Sequence, residues 1–121
     1  MQLPVTGLGL AAVAILVGAV IGGAITAFVR IAEKNTPFDI GLLHGRAGAF
    51  GALLLALSVF IGNETSPSIK PALGLLALTV AGGATLYFLI RRIGILPRSV
   101  IFIHGALAVA AVHTLLFGLP F

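Results

Sequence analysis

This sequence predicts an all-α membrane protein, a four-transmembrane-helix up-down bundle, and three observations predict it. The chain of 121 residues is 60% hydrophobic and 8% charged, with a mean hydropathy of +1.22, a balance that water-soluble globular domains of this size do not normally show. Four apolar stretches, 5–30, 41–62, 71–91 and 99–119, each come near the roughly twenty residues that a spanning helix requires. The connections between them are short, which favours antiparallel neighbours. Residues 1–121 therefore read as a single transmembrane domain with almost nothing outside the bilayer.

The first stretch is expected to be a permanent helix. No Lys or Arg precedes it, and it runs past the length of a secretory h-region. The second follows a connection from Glu33 to Ile40 that contains Pro37 and Asp39, and it carries His44-Gly45-Arg46 near its start. The third follows Asn63 to Lys70, with Pro67 as the helix breaker. Asn63-Glu64-Thr65 fits a glycosylation sequon, a pattern too short to carry weight. The fourth follows Gly94 to Arg98, with Pro97, and holds His104-Gly105 and His113.

Charge sets the expected orientation. Arg30, Lys34 and Arg46 flank the first connection, Arg91, Arg92 and Arg98 flank the third, and only Lys70 lies near the second. This bias places the first and third connections in the cytoplasm and both termini outside, in a membrane of the bacterial cytoplasmic type. The formal charge of +4 thus follows topology and faces membrane lipid, not nucleic acid. Cysteine is absent, which removes disulfides, thiolate metal sites and cysteine nucleophiles.

The chain also reads as a tandem duplication of a helical hairpin. Laid over itself at an offset of 60, it pairs Val20 with Val80, Gly22-Gly23-Ala24 with Gly82-Gly83-Ala84, Phe28 with Phe88, Pro37 with Pro97 and His44-Gly45 with His104-Gly105. Each half crosses the membrane twice, so the halves share one topology and a pseudo-twofold axis along the membrane normal. The second and fourth helices then run parallel, with His44 and His104 at matching depth near the cytoplasmic face.

An imidazole in hydrocarbon is costly unless bonded, so an intramembrane His marks a functional site by default. Two at one depth, one from each of two helices, meet the need of haem b held by two neutral imidazoles. The ligand assignment is His44 and His104. Gly22, Gly23, Gly82 and Gly83 offer small surfaces for a wide porphyrin, and Gly45 and Gly105 lie beside the ligands. Arg46 is the first choice to pair with a haem propionate through charge-assisted hydrogen bonds, ahead of Arg91, Arg92 and Arg98.

Each feature has a plainer account. Small residues allow close helix packing, and Gly18 with Gly22 or Gly41 with Gly45 already make small-xxx-small patterns. Arg46 could snorkel to the interface. His44 and His104 could bond a backbone carbonyl or interfacial water, and on the residues alone both readings of the pair stay open. Zinc or copper fits less well, since two His without further donors leave such a site short of ligands. His113 lies nine residues beyond His104, roughly 13 Å deeper. It is expected as a buried ring bonded to a neighbouring helix, with a quinone or proton-relay contact as its functional alternative.

In helix count, paired histidines and basic cytoplasmic edge, the chain resembles the four-helix membrane cytochromes b, of the b561-like and respiratory membrane-anchor types. The resemblance implies a haem-b electron-transfer protein or subunit, working with a quinone and a redox partner or larger membrane complex. Two-haem members use four ligands, so three histidines imply a one-haem arrangement on His44 and His104. The alternative class is a non-catalytic accessory subunit of a larger membrane complex, without its own cofactor. A proton-coupled transporter ranks third, because Glu33, Asp39 and Glu64 all lie in connections. No hydrolase constellation is visible.

Overall fold

The computed structural model describes residues 3–32 and 39–118. They form four helices, α1 (Gly7–Ile31), α2 (Ile40–Phe60), α3 (Ile69–Phe88) and α4 (Arg98–Phe117), with a π-helical turn at Leu89–Ile93 continuing α3. All four are long and apolar enough to cross a membrane, so the protein is an integral membrane four-helix bundle. Pro37, Lys34 and Glu33 fall outside the described residues.

Local chemistry sets the helix ends. Thr6 caps α1, its hydroxyl accepting from Gly9 N at 3.0 Å, and Asp39 caps α2, its carboxylate accepting from Leu42 N at 3.0 Å. Pro71 sits in the first turn of α3, where its missing N–H leaves no helical bond unmade. The π turn stops at Gly94, whose φ of 81° suits a residue without Cβ. Within the helices, Thr26, Ser58, Thr79 and Thr85 each donate a hydroxyl to a carbonyl one turn back, so these four hydroxyls are satisfied within their own helices.

The helices form a ring. α1 packs chiefly on α2 and α3 on α4, the two hairpins of the repeat, and the seams α2–α3 and α1–α4 join them. Among the described residues the diagonal pairs α1–α3 and α2–α4 make no backbone approach. The two seams differ. Ala49, Ala52 and Ala77 help to line an open apolar groove of about 400 Å³ between α2 and α3. Their repeat equivalents in the other seam are Val109, Val112 and Val17.

Packing is concentrated at one end. Ala12, Val13, Leu16, Leu55, Ile69, Ala72, Leu76, Ala111 and Leu115 make one buried cluster, all toward the α2–α3 connection. Toward the other end, α1 has no buried residue after Ala19, α2 none before Gly51 and α3 none after Thr79. The half-buried histidines His44 and His104 lie in this looser half.

Candidate functional site: the paired histidines

Since α2 and α4 stand on a diagonal of the ring, their side chains can meet only through the bundle interior. His44 and His104 do so: their ring centroids are 6.0 Å apart and their planes nearly perpendicular, at 84°. One atom bonded to both rings requires similar spacing, since two metal–nitrogen bonds of about 2 Å plus about 1 Å from each nitrogen to its ring centre sum to roughly 6 Å. The centroid separation is thus of the size that one atom held by both rings would need.

Each ring is seated against a glycine of the preceding helix. A Cβ on Gly23 would lie 2.7 Å from Cε1 of His44, and one on Gly83 would lie 3.1 Å from Cε1 of His104. Gly82 also borders the His104 ring, with a Cβ there 3.5 Å from Nδ1. The Gly–His spacing is 21 residues in both halves, so the duplication carries over into the site. Gly23, Gly82 and Gly83 make room for the imidazoles themselves, a role that the porphyrin-plate argument did not foresee. The offset alone held the signal: Gly23 and Gly83 precede their histidines equally.

Hydrogen bonding orients one ring firmly. Nδ1 of His104 lies 2.9 Å from the Thr79 carbonyl oxygen; in the tautomer with its proton on Nδ1 it donates to that oxygen and leaves Nε2 free as a ligand. The repeat equivalent of Thr79 is Ala19. Yet His44 Nδ1 is buried without a hydrogen-bond partner. The second site is thus built on the first one's plan with its orienting bond unmade. An unsatisfied ring nitrogen is costly where water is scarce.

The remaining predicted residues lie around this pair. A Cβ on Gly22, Gly45 or Gly105 would meet nothing within 4 Å, and Gly45 and Gly105 are exposed. Arg46 is also exposed; two residues from His44 along a helix of 3.6 per turn, it faces away from the ring. Nearby, Asp39 pairs with Arg30 at 3.4 Å and Arg91 at 3.4 Å, tying α1, α2 and the π turn together. Sequence reasoning took Arg91 as a topology marker and as a lesser candidate to pair with a haem propionate, and it missed this tie, because residues so far apart in the chain give no local signal.

His113 requires a correction. It is exposed, and its ring packs on Phe117 of its own helix at 5.2 Å, tilted by 44°; it is not a buried ring bonded to a neighbour. Nine residues from His104 along an α-helix is half a turn out of phase, which turns His113 outward once His104 points inward. Among the described residues no three His, Asp or Glu side chains gather into a metal-binding group, so the histidine pair has no third protein donor of that kind. The chain matches no family model, no curated protein and no solved structure.

Proposed function

We propose that the protein is a haem-b-binding electron-transfer protein or subunit of a bacterial-type cytoplasmic membrane, in which His44 and His104 would hold the haem. The observation that carries this reading is the meeting of two imidazoles across the ring diagonal, 6.0 Å apart, each seated on a glycine. The absence of a third His, Asp or Glu in reach among the described residues favours a group that carries its own further donors over a zinc site, which takes four protein donors or three and water.

Haem b held by two imidazoles supplies one-electron transfer without an open coordination position. The chain supplies the rest. The Thr79 carbonyl would accept the Nδ1 proton of His104, leaving Nε2 free to hold the haem. The buried cluster toward the α2–α3 connection closes that end to water. The arginines at this end of the bundle would supply positive charge for the carboxylates of the group, Arg46 from the interface since it faces away from the His44 ring, and by the charge bias they face the cytoplasm. A quinone in the lipid phase or a redox protein completes the route.

The test is an oxidised-minus-reduced visible spectrum with a pyridine haemochromogen assay on detergent-purified protein. About one haem per chain with a sharp reduced α-band is expected. His44→Ala and His104→Ala are each expected to abolish it, whereas His113→Ala, on the outward face, retains it. Equal haem content in all three variants would sink the ligand assignment. Folded, colourless protein that co-purifies with another membrane subunit would favour the accessory-subunit reading.

A further inference from the structure

We propose that Glu64 is an acid-released clasp that fastens the end of the bundle opposite the paired histidines. Nothing in this proposal depends on a bound cofactor. Glu64 lies in the connection between the two hairpins and is 7% exposed, an unusual burial for a carboxylate unless its oxygens are satisfied. They are. Oε2 accepts from Val5 N at 3.0 Å, Thr6 N at 2.9 Å and Thr6 Oγ1 at 3.0 Å. Oε1 accepts from Thr65 N at 3.2 Å and Ser66 N at 3.1 Å.

The fold is shaped to hold this group. Asn63, just before it, takes a left-handed conformation with φ of 54°, and Glu64 N donates to the Ser58 carbonyl at 3.0 Å, which turns the side chain back over the helix ends. A Cβ on Gly9 would lie 2.9 Å from Oε2 and 2.5 Å from Cβ of Pro4, so the glycine opens the space that the carboxylate fills. The Thr6 hydroxyl donates to Glu64 and accepts from Gly9 N, joining the clasp to the cap of α1. A few residues on, Ser68 Oγ donates to the Leu115 carbonyl of α4 at 3.1 Å.

One connection therefore grips both α1 and α4, across the seam that no covalent link spans. Among the described residues the only charge in the grip is that of Glu64. The α1 end, residues 3–9, carries no ionisable side chain. On the connection Thr65, Ser66 and Ser68 are neutral and Lys70 is exposed, and on α4 His113 is exposed; neither Lys70 nor His113 bonds Glu64. A proton taken from the aqueous phase would neutralise the carboxylate and place an O–H among N–H donors, so the acid form cannot keep all five bonds.

Burial pushes the Glu64 carboxyl up, but the amides of Thr6, Val5 and Ser66 and the Thr6 hydroxyl together outweigh it and hold the group below its ordinary value. A depressed carboxyl stabilises the folded state fully above the ordinary carboxylate range, and that contribution is lost as pH falls through the lowered value. The clasp is closed at neutral and mildly acidic pH and opens only in stronger acid.

Amide hydrogen exchange by mass spectrometry on the full chain, corrected for intrinsic rates, reads the clasp directly. At neutral pH, Glu64→Gln is expected to speed exchange in residues 3–9 and 62–68 by about tenfold or more, the scale of losing charge-assisted bonds, with the helix centres unchanged. Lowering the pH should bring the wild type to the Glu64→Gln rate, while the variant stays flat. Glu64→Asp, which keeps the charge on a shorter arm, should fall between. Wild-type protection in Glu64→Gln, wild-type pH dependence in that variant, or acceleration spread evenly over the chain would each overturn the clasp. Should Glu64→Gln not fold, the wild type alone decides: acid must free residues 3–9 before the helix centres, and in Asp39→Asn as well.

Discussion

At the residue scale, the glycines separate into those that touch an imidazole and those that do not. Gly23→Ala would drive a methyl into the His44 ring at 2.7 Å, and Gly83→Ala would crowd His104 at 3.1 Å. Overpacking of this kind costs about 1–3 kcal/mol. Melting temperature, and on the proposed haem reading haem content per chain, should fall for both, more for Gly23→Ala, while Gly22→Ala, Gly45→Ala and Gly105→Ala, with open space at Cβ, leave both unchanged. Equal effects at Gly22 and Gly23 would break the link between glycine and ring. The sequence already paired these positions through the offset of 60. What it could not tell was which glycine of each pair faces the histidine, because that depends on helix rotation and not on composition.

Thr79 makes a complementary point. Its carbonyl, not its side chain, holds His104, and its hydroxyl donates to Leu75. Thr79→Val should therefore leave the visible spectrum of the reduced protein unmoved, whereas a spectral change would assign the hydroxyl a part in the site. No residue type advertises a backbone acceptor, so this partner was invisible in the sequence.

At the element scale, Asp39 performs two tasks that substitution can divide. As a cap it accepts from Leu42 N, and as an anion it pairs with Arg30 and Arg91. Asp39→Asn keeps a capping oxygen and loses the charge, and because the pairs are partly exposed the loss is expected to be about 0.2–1 kcal/mol and smaller at high salt. Asp39→Ala removes the cap as well, for about 1 kcal/mol more. Thermal unfolding in detergent at two salt concentrations checks the division: a salt-independent Asp39→Asn would mean that the ion pairs contribute nothing. The proline and turn residues made the helix ends legible, but the π turn at Leu89–Ile93 was not. Its first-half counterpart ends as an ordinary helix at Ile31, so the repeat gave no warning of it.

At the scale of the whole molecule, the two halves of the bundle differ in packing. Leu55, fully buried at 0% exposure, belongs to the dense end, and Leu55→Ala should destabilise by about 2 kcal/mol or more through its cavity; lipid is as apolar as the core, so packing and not transfer from water supplies this term. The α2–α3 groove invites the opposite change. Ala49→Val with Ala52→Val copies the valines of the other seam, and filling the groove should raise stability by about 0.5–2 kcal/mol. A drop in melting temperature instead would mean that the seams differ in backbone approach, not only in side-chain volume.

The sequence by itself determined the class of the protein, its four spans and its repeat, because hydrophobic length and the offset of identical residues are properties of the chain that survive any packing. It also singled out His44 and His104 by the cost of placing imidazole in hydrocarbon. Only the tertiary structure decided that these rings meet across the α2–α4 diagonal, that Gly23 and Gly83 seat them, that His113 turns to the outside, and that Glu64, from a connection that looked inert, is buried under the ends of two hairpins. Those are matters of which face each helix presents. An Ala-, Leu- and Gly-rich membrane helix is apolar on every side, so its sequence carries almost no signal for rotation, and rotation is fixed by contacts between residues far apart in the chain.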